Sequence, residues 1–86
     1  MGVMAQKGFD ISVKLTEKGS KDPVMMATVV LDPSGAGTIT DSQGNAVLKN
    51  IPEGQYTMVV SYVGFEALRL SVRVNKPLTL QLQMVD

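Results

Sequence analysis

The sequence contains no cysteine, no histidine and no tryptophan. Without cysteine there can be no disulfide and no thiolate nucleophile, and without histidine the usual base near neutral pH is missing. Together the two absences exclude zinc sites built on Cys and His. Phe9, Tyr56, Tyr62 and Phe65 are the whole aromatic complement. An excess of one charge is also lacking, because eight basic residues balance eight acidic ones. That removes the ordinary electrostatic reason to expect nucleic acid or an anionic membrane surface as a partner. The uninterrupted apolar runs are only a few residues long, so no segment could cross a bilayer as a helix.

What is present points to one small folded unit. The 86 residues are 44% hydrophobic, enough for a packed core and too many for a disordered chain. A domain of this size buries roughly 60–65% of its extended-chain surface, so its core is thin. The dominant period is two. Ile11, Val13 and Leu15 alternate with Asp10, Ser12, Lys14 and Thr16; Leu68, Leu70, Val72 and Val74 alternate with Arg69, Ser71 and Arg73. Leu78, Leu80, Leu82 and Met84 alternate with Thr79, Gln81 and Gln83. Such alternation predicts strands with one buried and one wet face.

The middle of the chain is strand-like too. Ala27 to Leu31 is rich in β-branched residues, and Gln55 to Tyr62 sets Tyr56, Met58, Val60 and Tyr62 on one face. Short runs at Thr38–Thr40 and Asn45–Leu48 bring the number of predicted strands to about seven, with no helix of useful length. Asp32-Pro33-Ser34-Gly35 and Ile51-Pro52-Glu53-Gly54 carry proline second and glycine fourth, which suits type I turns. Asp41-Ser42-Gln43-Gly44-Asn45 reads as a hairpin loop with its glycine in the left-handed region. Turn signals every eight to twelve residues or so predict a sandwich or barrel in place of βαβ units.

Residues 1–8 read as a disordered tail and residues 9–86 as a single domain. Val3-Met4-Ala5 before Gln6 fits the small-x-small pattern left of a signal-peptidase cut, although no apolar segment precedes it. The tail is therefore a signal-peptide remnant of an exported protein or a set of expression residues.

The central residues carry a resemblance. Thr38-Ile39-Thr40-Asp41-Ser42-Gln43-Gly44-Asn45, followed by Leu48 and by Asn50-Ile51-Pro52-Glu53-Gly54-Gln55-Tyr56, continues through Val60-Ser61-Tyr62-Val63-Gly64-Phe65. This run resembles the carboxypeptidase regulatory-like domain, whose pattern is T-V-T-D-x-x-G-x-F-x-L and then N-I-P-x-G-x-Y-x-L-x-V-S-Y-V-G-Y/F. Ala27-Thr28-Val29 is similar to the family's A-T-V on the second strand. The resemblance implies an all-β fold, a small seven-stranded antiparallel Greek-key-type β-sandwich of the prealbumin (transthyretin) kind. Two positions depart from the pattern. Ala46 stands where an aromatic is usual, leaving volume that Met25, Met26 or Met58 could fill. A glycine expected early in the first strand is replaced around Ser12-Val13.

Ser61-Tyr62-Val63-Gly64-Phe65 is most similar to the copy of this domain at the N-terminus of SusC-like TonB-dependent outer-membrane receptors. The resemblance then implies a non-catalytic interaction or spacer domain on the periplasmic side of a bacterial outer membrane. The partner would be the receptor's own plug and barrel or another cell-envelope protein, with the membrane reached only through the attached receptor. The same accessory domain on another exported protein, such as a peptidase, an adhesin or a glycan-binding lipoprotein, remains open, as does a free-standing carbohydrate-binding module.

No catalytic, cofactor-binding or metal-binding residue is expected. The carboxylates sit mostly at predicted turns, where Asp caps its own backbone, and the serines have no histidine to activate them. Asp41, Gln43 and Asn45 place three oxygen donors at alternate positions, a faint calcium signal. The favoured reading is a hairpin whose Asp41 side chain accepts turn amide hydrogen bonds. Tyr62 with Phe65 could form a small sugar platform, but strand alternation predicts Tyr56 and Tyr62 in the core. Lys14, Arg69 and Arg73 are expected on solvated faces that discourage edge pairing. The uncharged run from Leu78 to Met84 is nominated as a contact or dimer-forming edge on condition that it is exposed.

Overall fold

Every period-two segment becomes a strand. The strands are β1 (Gly8–Glu17), β2 (Thr28–Asp32), β3 (Ala36–Ile39), β4 (Asn45–Pro52), β5 (Gly54–Ser61), β6 (Leu68–Val74) and β7 (Leu78–Met84). They come from a computed structural model that describes residues 8–85. Residues 1–7 of the expected tail, and Asp86, lie outside the described residues, while Gly8 already opens β1.

One sheet has the order β4-β1-β7 and the other β3-β2-β5-β6. Alternation turns one face of each sheet inward. Ile11, Val13 and Leu15 of β1 meet Val29 and Leu31 of β2, Met58 and Val60 of β5, and Val72 and Val74 of β6 in one buried cluster. Ala46, Leu48, Ile51 and Met84 complete it from the flanks of the first sheet. This is an all-β sandwich, as the sequence predicts. Met58 and Met84 are fully buried in the core that holds Ala46, whereas Met25 and Met26 turn to solvent and fill nothing there.

The antiparallel expectation needs one correction. The ladders β1–β4, β2–β3, β2–β5 and β5–β6 are antiparallel, but β1 and β7 run parallel, from Ile11↔Leu78 to Glu17↔Met84. Alternation reports which face is buried and is blind to strand direction. The Asn75–Pro77 connection crosses from one sheet to the other, so β7 is not the hairpin partner of β6 and returns alongside β1. Lys14 consequently lies on a central strand, where it guards no edge.

The turns also differ from their sequence signatures. In the β2–β3 hairpin the Gly35 N–H bonds to the Leu31 carbonyl at 3.2 Å, four residues back, and the Ser34 hydroxyl donates to the same oxygen at 2.6 Å. The connection is thus one residue wider than a type I turn, and its Asp32–Pro33 peptide is cis. The Asp41–Gly44 segment is a tight turn, with the Gly44 N–H on the Asp41 carbonyl at 2.9 Å, but it joins strands of different sheets and so is no hairpin. β4 carries a bulge opposite Asp10: Lys49 and Asn50 together face that one residue. Asn50 takes φ 58° there, and its N–H bonds to the Asp10 carboxylate at 3.1 Å.

Gly44 shows why the interlocking turn needs its residue. It is buried at φ 78°, its carbonyl accepts the Leu15 N–H at 2.8 Å, and a Cβ there would collide with the Leu15 carbonyl and press on Pro23. Gly35 has φ 79° but open space around it. Gly35→Ala should therefore cost only the left-handed penalty, about 1 kcal/mol. Gly44→Ala should cost clearly more, because backbone must shift as well. Urea unfolding midpoints of the two variants check the ranking, and equal losses would contradict it.

Candidate interaction surface

The largest exposed apolar side chains of the described residues include Met25, Met26, Ile39, Tyr62 and Val63. Their arrangement follows from two local devices at one end of the β3-β2-β5-β6 sheet. The first is Thr40, which is buried just after β3. Its hydroxyl donates to the Val24 carbonyl at 2.7 Å and accepts the Ala27 N–H at 2.9 Å. Its own N–H bonds to the Ala27 carbonyl, and its carbonyl accepts the Met26 N–H at 3.0 Å. Val24 and Ala27 are thereby drawn into the core, while Met25 and Met26 between them are held out. Met26 adopts φ 68° and is 65% exposed. A left-handed conformation in a residue other than glycine is costly, and it persists only where surrounding bonds impose it.

The second device is the end of β5 at Ser61. Past that point the chain leaves the ladder, and the Phe65 N–H closes a turn on the Tyr62 carbonyl at 3.1 Å. Alternation no longer governs Tyr62, so the expectation of a core Tyr62 is wrong: the residue is exposed, and Val63 at the tip is 90% exposed. Tyr56, still inside the strand, is half-buried and donates its hydroxyl to the Pro52 carbonyl at 2.7 Å. Thr28 pairs with Ser61 on one side and Ile39 on the other, which places the β5, β2 and β3 ends side by side. A shallow cleft of about 390 Å³ lined by Met26, Thr28, Ser61, Tyr62 and Val63 results. The surface offers dispersion and hydrophobic contact to a partner, with no charged group in the cleft wall.

Tyr62 and Phe65 do stand together, with ring centroids 5.5 Å apart, but at 49° to one another. That tilt is a mutual packing geometry and does not present a flat two-ring platform. The Asp41 turn lies after β3 and bridges two sheets, so it is no hairpin, but its side chain accepts amide bonds as the sequence predicts. One Asp41 carboxylate oxygen accepts the Gln43 and Asn45 N–H groups, each at 2.9 Å. These bonds, Asn45 foremost, hold the carboxyl below its ordinary value, and Lys14 adds a smaller favourable charge while donating to the Gln43 carbonyl. Arg69 and Arg73 lie exposed on β6, an edge strand, as anticipated.

The sequence model of the CarboxypepD_reg-like domain matches residues 11–86. The chain belongs to that family. Solved structures similar to this CarboxypepD_reg-like domain include a chain of a type II cohesin–X-dockerin complex from Acetivibrio cellulolyticus, at TM-score 0.79 and 19% identity, covering 90% of this chain and 57% of that one. The major pilin subunit of Bacillus cereus matches at TM-score 0.78 and 18% identity over 91% of this chain and 30% of the pilin. A 5-hydroxyisourate hydrolase from Klebsiella pneumoniae matches at TM-score 0.68 and 17% identity, over 86% and 88% of the two chains. At these identities the likeness is one of fold. The chain spans little more than half, or less, of the first two proteins. No curated protein matches the sequence significantly.

Two predictions follow from the bonds described. Thr40→Val keeps shape but leaves the Ala27 N–H and Val24 carbonyl without their side-chain partner, and should destabilise the domain by about 1–3 kcal/mol in urea unfolding. Thr40→Ser should recover most of the loss. For Asp41 the lowered native value means that its stabilisation is present above the ordinary carboxylate value of 3.8 and is lost as pH falls through the native one. Asp41→Asn should accordingly be less stable than wild type at neutral pH, with the gap closing in strong acid. A gap that persists unchanged in acid would show that the charge on Asp41 is not its source.

Proposed function

We propose that this domain is a non-catalytic interaction and spacer module of an exported protein, placed at the N-terminus of a TonB-dependent outer-membrane nutrient receptor, on the periplasmic side. The observation that carries the reading is the fate of Ser61-Tyr62-Val63-Gly64-Phe65. This segment resembles the receptor-borne copies of the domain, and its Tyr62 and Val63 build an exposed apolar tip beside Met26, while Phe65 packs partly against the core. Residues that stabilise little in the isolated domain are suited to contact with something outside it. The partner would be the plug and barrel of the same receptor or another envelope protein. Relatives in fold drawn from a cohesin–dockerin complex and a pilus subunit lend support, since each belongs to an assembly of proteins. Chemistry is not part of the proposal, because a chain without His or Cys has neither a ready nucleophile nor its base.

The native reading frame tests the attachment. It should carry a signal peptide upstream, and downstream a plug followed by a long series of alternating amphipathic strands. A downstream zinc-peptidase domain would overturn the receptor assignment. For the contact itself, a photocrosslinking residue at Val63 of the full-length protein should capture the plug or another envelope protein. The same residue at exposed Ser71 on β6 serves as control; equal capture at both positions would remove the apolar tip from the argument.

A further inference from the structure

Among the described residues the sandwich has four edge strands, β4 and β7 in one sheet and β3 and β6 in the other, and three of them are blunted. β3 has only four residues. β4 holds the Asn50 bulge, Lys49 and a terminal Pro52. β6 carries Arg69 and Arg73, which would oppose each other if two copies of the strand paired antiparallel about Ser71. Short length, bulges, proline and edge cations are the recognised devices against strand-to-strand association. β7 has none of them: Leu78-Thr79-Leu80-Gln81-Leu82-Gln83-Met84 is uncharged, without proline, and among the described residues pairs along one side only.

The orientation of its free amides can be read from its neighbours. The Met84 carbonyl accepts the Lys18 N–H on the β1 side, at 2.9 Å. The Val85 carbonyl points the opposite way, to the Glu66 N–H at 2.9 Å. In a parallel ladder the backbone groups of successive residues alternate between the two sides of the strand. The N–H and C=O groups of Leu78, Leu80 and Leu82 are therefore spent on β1, and those of Thr79, Gln81 and Gln83 face outward. The same three residues are exposed, and Leu78, Leu80 and Leu82 are only half-buried against the core. A groove of about 420 Å³ runs beside this edge, lined by Leu68, Leu70 and Leu82 together with Gln81, Lys14 and Arg69.

We infer that β7 is a self-association edge, and that its occupant is β7 of a second copy of this chain, antiparallel about a two-fold axis at Gln81. The strand is complementary to itself in that register. Gln81 meets Gln81 of the other copy, and Thr79 meets Gln83, each pair exchanging two main-chain hydrogen bonds from the outward-facing groups. Leu80 meets Leu82 on the inner face and adds apolar contact where both leucines are half-exposed. No like charges meet, in contrast to the arginines of β6. A one-residue slip would pair leucine with glutamine across the two faces and set inward amides against outward ones, so that register is excluded. The two three-stranded sheets would join into one continuous sheet.

The attachment to a receptor does not depend on this contact, and a monomeric chain would leave that proposal standing. Sedimentation equilibrium on this chain is the test. Wild type should dimerise with an affinity that salt changes only slightly, since the strand itself has no charge and Lys14 stands one strand away from the pairing edge. Gln81→Lys should weaken dimerisation by about tenfold or more, because like charges then lie directly opposite, and Gln81→Glu should weaken it less, because Lys14 beside it on β1 offsets part of the repulsion. An equimolar mixture of the two should recover the dimer. Amide exchange on wild type needs no variant: Thr79, Gln81 and Gln83 should become protected as concentration rises, while Leu80 and Leu82 are protected throughout. A wild type that stays monomeric at millimolar concentration overturns the inference. So does a dimer that survives Gln81→Lys and is lost on Val63→Asp, which would assign the contact to the apolar tip.

Discussion

The parallel ladder between β1 and β7 is the constraint on which the rest of the sandwich hangs. It joins the first and last described strands along seven paired positions, Ile11↔Leu78 to Glu17↔Met84. Contacts so distant in sequence carry a large loop-closure cost, which must be offset by the burial that closure permits. Here the cluster supplied by Ile11, Val13 and Leu15 forms the inner wall against which Val29, Leu31, Met58 and Val60 pack. With β1 held between β4 and β7, the first sheet counts three strands among the described residues, which leave one side of β7 unpaired.

Side-chain polarity made the strands and the core face legible, because burial acts residue by residue with a period of two. Direction and partnership were not legible. Nothing in Leu78-Thr79-Leu80-Gln81 distinguishes a parallel neighbour from an antiparallel one, and nothing in Asp41–Asn45 announces that the turn bridges two sheets. Tyr62 failed for a more local reason. It continues the alternation of Tyr56, Met58 and Val60 in sequence, but β5 stops one residue earlier, where the turn to Phe65 begins. Phe65 could have warned of this, since an aromatic just past Tyr62-Val63-Gly64 gives the tyrosine ring a local packing partner.

The candidate surface was harder to see, because its decisive residue is polar and buried. Thr40 reads in sequence as one more β-branched strand residue. Only the fold shows its hydroxyl bridging Val24 and Ala27 and so lifting two methionines outward. Asp41, next in sequence, was legible for the opposite reason. Its bonds to Gln43 and Asn45 are local, and local side-chain-to-backbone bonds leave a signature in residue spacing. Apolar side chains in a loop carry no such signature, and Met25-Met26 could as well have been core filling for the space at Ala46.

The parallel pairing has a mechanical consequence. Because β1 and β7 run the same way, Gly8 and Met84 lie toward opposite ends of the sandwich. Tension applied to the chain at those two points pulls the strands along their lengths in opposite directions. The interstrand hydrogen bonds are then loaded in shear and must yield together, whereas an antiparallel terminal pair pulled at adjacent ends would unzip one bond at a time. A domain threaded in this way resists stretching along the one axis on which a flanking segment can pull.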